Sequence, residues 1–262
     1  MRKLNTFIYI FLLFIIVIIV LFKIQLVTEP APVYCLMVTG YNEDRLKYAR
    51  TSILNFVKQT YKNKKLIIIN QSKNKIINNL DKYPSILEVS VSNVNKSLGT
   101  LRNISLQFVP PNAYWTTWDD DDWRNEKYIQ TMMDVLMKHK SNFLMFQNRI
   151  EYNILNKFTY KSTLKSGFMT FFAKQDDNLE YEDTFTSEDK VIKDYAIQNL
   201  NPYIYNNDAK MYIRLIHEDN TSVYVNNQKK TLKDTKNNKI YFESKLNQKE
   251  LEYVSYTIKN NY

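Results

Sequence analysis

Apolar residues run without a charge from Phe7 to Phe22, and behind them the pattern changes to short apolar runs separated by amphipathic stretches. VYCLMVT (33–39) and KLIIIN (65–70) are continuous runs rich in β-formers, as expected of strands buried on both faces. Between them Gly40 breaks the strand, Asn42 is a fair N-cap, and Glu43 and Asp44 suit a first helical turn. Leu46, Ala49, Ile53 and Phe56 then recur at helical spacing, with Leu54 and Val57 widening the stripe. The pattern further predicts a short helix around Ile76 to Leu80, a strand near Ile86 to Val91 and a helix over 97–109 that Pro110-Pro111 stops. A strand over 113–118 and a helix from about Asn125 to His139 follow. Residues 142–153, 157–163 and 166–174 read as a meander of strands, with a helix from Val191 and a strand over 211–216 behind it. The tail reads either as a disordered flank or as a terminal helix near 246–259.

Strands joined by helices predict an α/β fold with a mixed, mainly parallel sheet and right-handed crossovers. In such sheets ligands bind beyond the carboxyl ends of the strands. Thr39 to Glu43, Asn70 to Ser72 and Asp119 to Asp122 fall at those ends and are expected to face one crevice. The first apolar run, preceded by Arg2 and Lys3 and followed by Lys23, reads as an uncleaved transmembrane helix; the rival reading, a cleaved signal peptide, wants a shorter run and an A-x-A-like site that does not follow. The positive-inside rule then gives a single-pass type II topology. The expected organisation is a cytosolic N-terminus and anchor over 1–27, a stem over 28–32, a catalytic-type domain over 33–221 and a Lys/Asn-rich tail over 222–262.

Net charge is +9, but residues 222–262 hold eight Lys against four acids and the middle of the chain is near neutral. No basic stripe interleaved with aromatics appears, which argues against a nucleic-acid partner. The chain has three glycines, too few for a P-loop or a dinucleotide fingerprint. Cys35 is the one cysteine, which excludes a disulfide framework and a Cys-based zinc site. Asn70, Asn95, Asn103 and Asn220 each open a glycosylation sequon, yet three of them fall in segments assigned to the core or site. A lumenal, Golgi- or ER-like location is expected; a tethered enzyme in a bacterial or viral setting is the alternative.

The densest chemistry lies in YWTTWDDDDWR, 114–124. Four adjacent carboxylates raise one another's pKa and resist burial. At a strand end they suit a hard divalent cation, while the plainer reading is a charged flank for the helix that follows. Glu188-Asp189 precedes an apolar-periodic helix, either as a functional carboxylate pair or as an acidic helix start capped by Ser187. His217 ends an apolar run, as a metal or diphosphate contact or as a solvated strand end. Arg102 and Lys96 are either diphosphate contacts or helix-surface charges, and Trp123 is the tryptophan best placed to line a pocket.

Five segments in order resemble family 2 glycosyltransferases, which have the GT-A fold: VTGYNEDRLKYARTSILNFVKQTYKNKKLIIINQS, SLGTLRN, WDDDDW, FTSEDKVI and YIRLIHEDNTS. The resemblance covers about 33–221, with a nucleotide-sugar half over 33–123 and an acceptor half over 124–221. It implies transfer of a sugar from a nucleotide-diphosphate sugar to a hydroxyl of a glycan, protein or lipid, with inversion. By the same resemblance Thr39, Tyr41, Glu43 and Asn70 line the nucleoside pocket, and Arg102 meets the diphosphate. Asp121 holds Mn²⁺ or Mg²⁺, with His217 and Asp119 as further candidates. Asp119 is also the nucleoside-side partner, and Asp120 suits either role. Asp189 is the general base, beside Glu188. One departure is Asn70, where the family carries an Asp against the base. The competing readings are a GT-A-like binding module without turnover and a sugar-nucleotide synthesising enzyme; the second wants a Gly-rich N-terminal loop that TGYNEDR does not supply.

Overall fold

The structure, a computed structural model, describes residues 11–16, 29–40, 43–91, 95–154, 157–207, 210–217, 240–243 and 248–261. It divides into two units, Met1–Ala31 and Pro32–Tyr262. In the first, residues 11–16 are helical and exposed, and the rest of the apolar run lies outside the described residues. Among the described residues no helix is long and apolar enough to cross a membrane. The anchor read from the sequence therefore stays an expectation.

The second unit is built on one ten-stranded mixed sheet. β1 (Val33–Thr39) pairs in parallel with β2 (Lys64–Asn70) and β4 (Tyr114–Thr117), and β2 pairs in parallel with β3 (Ile86–Ser90). Helices α1 (Leu46–Val57) and α2 (Leu98–Leu106) connect these strands. After α3 (Tyr128–His139) the pairing changes. β6 (Phe143–Asn153) and β7 (Phe158–Lys174) are antiparallel, and β7 closes onto β4. Beyond them α4 (Lys190–Tyr195) runs into a π-helical turn, Ala196–Leu200. β8 (Tyr203–Tyr205) and β9 (Tyr212–Ile216) add in parallel to β6, and the two-residue β5 (Trp123–Arg124) pairs with β9. The strand order 3-2-1-4 places a topological switch between β1 and β4, and in sheets of this kind ligands bind beyond the carboxyl ends at such a switch.

Leu46, Ala49, Ile53 and Phe56 are buried, as their spacing predicts. Leu54 and Val57 are not: they are 53% and 38% exposed. The segment that should cover them forms only a 3-10 turn, Leu80–Lys82, in place of the expected helix. A cavity of about 340 Å³ remains there, lined by Leu54, Val57, Ile76 and Tyr83. The strands expected at 157–163 and 166–174 are one continuous strand, β7.

The fold also extends past residue 221. β10 (Ile240–Glu243) pairs with β7, and α5 (Gln248–Asn261) packs Val254 and Ile258 on Trp123, Ile150, Ile213 and Leu215. Trp123 therefore lies in a core, edge-on to Tyr253, and not on a pocket wall. Its place on β5, beside β9, turns it toward α5.

Candidate functional site

The acidic run follows β4 directly, at the edge where β1 also ends, and its four carboxylates go to different partners. Asp120 accepts from the Thr39 hydroxyl at 2.6 Å and from Arg45 Nη2 at 2.5 Å. Asp121 accepts from the same Arg45 nitrogen at 2.9 Å, and its Oδ2 lies 3.1 Å from His217 Nε2. Asp122 turns the other way, accepting from the Tyr212 hydroxyl and from Leu215 N at 3.2 Å, which ties the run to β9. Asp119 faces Arg102 at 3.2 Å, and its side chain alone of the four is substantially exposed, at 42%. Arg124 closes the loop from below. Its guanidinium lies over the Trp118 ring at 4.4 Å and donates to Asp119 O at 3.3 Å.

Resident cations thus offset the repulsion inside the run. Burial pushes the Asp121 carboxyl up, but the His217 bond and the charge of Arg45 outweigh it and hold it down at about 2. Burial and the Asp121 charge push Asp120 up to about 6, against Arg45 and Thr39. Burial with the charges of Asp121 and Asp119 pushes Asp122 up to about 7.

Helix α2 holds a second carboxylate segment against the first. Ser97 caps the helix by accepting from Thr100 N at 3.0 Å, and the Ser97 and Thr100 hydroxyls both donate to Asp183. Gly99 N donates to Thr184 O at 3.1 Å. Asn103 clamps Tyr181 at both ends of its amide, donating to the carbonyl and accepting from the N–H, each at 2.8 Å. Arg102 reaches Glu188 with one arm and Asp119 with the other. The residues of SLGTLRN that carry chemistry therefore face the 181–188 segment. Asp189 comes next, at the start of α4, without a side-chain cap bond; Ser187 is not the cap but sits at φ 60°. Glu188 is buried and ion-paired, whereas Asp189 has no ion pair among the described residues. Burial raises the Asp189 carboxyl above its ordinary range, with Arg102 opposing.

The remaining candidates divide. Thr39 is buried and positions Asp120. Tyr41 lies outside the described residues. Glu43 is exposed and accepts from Asn74 at 3.2 Å. Asn70 is fully buried, and its amide is spent internally: it donates to Asn74 O at 2.8 Å and Glu88 Oε1 at 2.7 Å, and accepts from Ser72 N at 2.8 Å. A glycan on Asn70 or Asn103 would break these bonds. Gln71, the middle residue of the Asn70 to Ser72 cluster, is buried at the end of β2 with Nε2 unpartnered among the described residues.

His217 is buried beneath Tyr48, whose ring stacks on it at 4.4 Å. A cavity of about 700 Å³ is lined by Tyr48 together with Tyr152, Ile154 and Ile258. Among the described residues no three His, Cys, Asp or Glu side chains converge as a metal-holding group, and Asp119 is not brought to Asp121 and His217. The pair itself has suitable chemistry. Two ligands on adjacent octahedral positions, each about 2.1 Å from a metal, lie about 3 Å apart. The Asp121–His217 separation of 3.1 Å matches that edge. It leaves the other positions to phosphate oxygens and water, as hard divalent cations commonly bind.

A model of the family described as Glycosyl transferase family 2 matches residues 35–192, well over half of the chain. No curated protein matches it. Among solved structures, S. aureus TarS 1–349 superposes with a TM-score of 0.56 at 14% identity, over 70% of this chain and 60% of that one. The same fragment in complex with UDP gives 0.56 at 14%, over 71% and 60%. A further S. aureus TarS structure gives 0.55 at 13%, over 71% of this chain and 37% of that chain. The chain thus spans 60% of the length of the TarS fragment, and at this identity the likeness carries the fold.

Proposed function

The chain belongs to glycosyl transferase family 2, and from that premise we propose that it is an inverting glycosyltransferase, moving a sugar from a nucleotide-diphosphate sugar to an acceptor hydroxyl. The observation that carries this is the meeting of two carboxylate segments across Arg102: the acidic run at the β1/β4 edge on one side and Glu188-Asp189 on the other. A donor lying along the first would present its anomeric carbon toward the second.

In this reading Asp189 takes the proton of the acceptor hydroxyl while that oxygen attacks the anomeric carbon and the bond to the diphosphate breaks. The absence of an ion pair to it among the described residues and its raised pKa suit a base; Glu188, held by Arg102, orients the segment. Asp121 and His217 would hold Mn²⁺ or Mg²⁺, which when bound stabilises charge on the departing diphosphate as a Lewis acid. Arg102 supplies fixed positive charge between the two segments. On the nucleoside side, Thr39 and Asp120 form the floor, and the unpartnered Gln71 amide suits a carbonyl acceptor on the base. UDP is the first nucleotide to test, because it is the ligand in the TarS complex.

Thermal melting with UDP, GDP, ADP and CDP, with and without Mn²⁺, tests donor class and metal together. One diphosphate is expected to raise the midpoint, more so with Mn²⁺, and EDTA should cancel the increment. Equal response to all four, or none, would remove the donor-site reading. The run from Phe7 to Phe22 further supports a membrane-tethered enzyme. The full chain should then stay in the membrane pellet after alkaline washing, and release into the supernatant would argue against an integral anchor.

A further inference from the structure

We propose that Arg45 is an exchangeable counter-cation that holds Asp120 and Asp121 together in the absence of metal and yields Asp121 to the divalent ion, thereby setting the metal affinity of the site. This rests on the reading that Asp121 and His217 hold the cation. The same oxygen, Asp121 Oδ2, faces Arg45 Nη2 at 2.9 Å and His217 Nε2 at 3.1 Å. A divalent ion bound between Asp121 and His217 would put a second cation on an oxygen that already carries a guanidinium. In a buried site two like charges a few ångströms apart repel strongly, and they cannot share that oxygen at full strength.

Arg45 has somewhere to stay when it loses Asp121. It also holds both oxygens of Asp120, Oδ1 through Nη2 at 2.5 Å and Oδ2 through Nε at 3.4 Å. Asp120 is fixed in turn by the Thr39 hydroxyl at 2.6 Å. Arg45 itself lies in the short 3-10 turn Glu43–Arg45 at the start of α1, with its side chain 14% exposed. Exchange therefore needs a small swing about an anchored carboxylate and no refolding. The swing frees one face of a planar fork beside the metal pair, a geometry suited to phosphate oxygens. Two roles within the run are thereby distinct: Asp121 changes partner, and Asp120 keeps its own.

Mn²⁺ binding to the full chain, followed by the loss of the free-ion EPR signal, tests this without turnover. Wild type, Arg45→Gln, Arg45→Lys and Asp121→Asn are compared in the absence of nucleotide. Arg45→Gln is expected to bind Mn²⁺ about tenfold tighter than wild type or better, since the competing charge is gone. Its thermal midpoint should be lower than wild type without metal and recover more on adding Mn²⁺. Arg45→Lys, which keeps a charge but cannot bridge both carboxylates, should fall between the two and serves if Arg45→Gln does not fold. Asp121→Asn should lose binding. If wild type binds Mn²⁺ through Asp121 but Arg45→Gln binds it equally or more weakly, the exchange is wrong while the metal assignment stands. If Asp121→Asn binds as well as wild type, or no protein binds, the metal assignment fails and the exchange fails with it.

Discussion

Asp189→Asn is expected to lower kcat by about 10²–10⁴-fold, the usual contribution of a positioned general base, while leaving nucleotide binding close to wild type. The amide keeps the size of the side chain and cannot accept the proton. Binding should survive because Asp189 is separate from the groups at the β1/β4 edge: Glu188, not Asp189, is tied through Arg102 to Asp119. The pH dependence follows from the direction of the shift. Burial raises the Asp189 carboxyl, so the base form fills only above the ordinary carboxylate range. The kcat of the wild type should rise with pH through that raised pKa and then level off, and the limb should vanish in Asp189→Asn. Stability moves the other way. An acid whose pKa is higher folded than unfolded contributes most at low pH and loses that contribution as pH rises through the folded pKa. Near neutrality the ionised Asp189 is penalised, so the Asn variant should melt no lower than wild type. A melting loss as large as the activity loss would make Asp189 structural. Retained kcat would remove it as the base.

The parts of this arrangement that were legible in the sequence are those written in local patterns. The stripe Leu46, Ala49, Ile53 and Phe56 gives α1 because a one-sided helix must bury that face, and the four are buried. The runs 33–39 and 65–70 give β1 and β2, paired in parallel from Val33 with Lys64 to Thr39 with Asn70. What the sequence hides is which distant side chain answers each charge. Arg45 is 75 residues from Asp120, and Arg102 is 86 from Glu188. No periodicity links such pairs, so the acidic run reads as a cluster awaiting a metal when in the folded chain it already has protein counter-cations. Asn70 shows the same limit from the other side. At the end of β2 it looks available to a ligand, yet Glu88 on the neighbouring strand and the 72–74 turn consume its amide. The tail misleads for a third reason. Its lysines suggest a solvated flank, and the other reading, a terminal helix near 246–259, is the one the fold adopts as α5; that Val254 and Ile258, with Leu251 and Tyr253 beside them, complete a core with Trp123 is not written in any local pattern.

Gly99→Ala is expected to destabilise the protein by about 2 kcal/mol and to lower kcat well beyond what that loss accounts for. By helix propensity alone the change should help, since Ala is better than Gly inside a helix by about 1 kcal/mol. Packing reverses the sign. A Cβ on Gly99 would stand 1.7 Å from the Glu182 carbonyl oxygen, 2.8 Å from its carbon and 3.3 Å from Glu188 Cβ. The nearest obstacles are backbone and cannot rotate away as a side-chain tip would. Nor can the segment simply back off. Gly99 N–H is bonded to Thr184 O, Asn103 grips Tyr181, and the Ser97 and Thr100 hydroxyls hold Asp183. Relief requires moving α2 and the 181–189 segment apart, which carries Asp189 with it. Misplacing a catalytic group by about 1 Å can cost about 10²-fold in rate. The midpoint of melting should fall by roughly 4–8 °C for a domain of this size. Of the three glycines in the chain, this one lies inside a helix, where nothing in its backbone asks for glycine. Its reason is the closeness of the carboxylate segment, and a Gly99→Ala protein that melts and turns over like wild type would show that α2 does not set the position of Asp189.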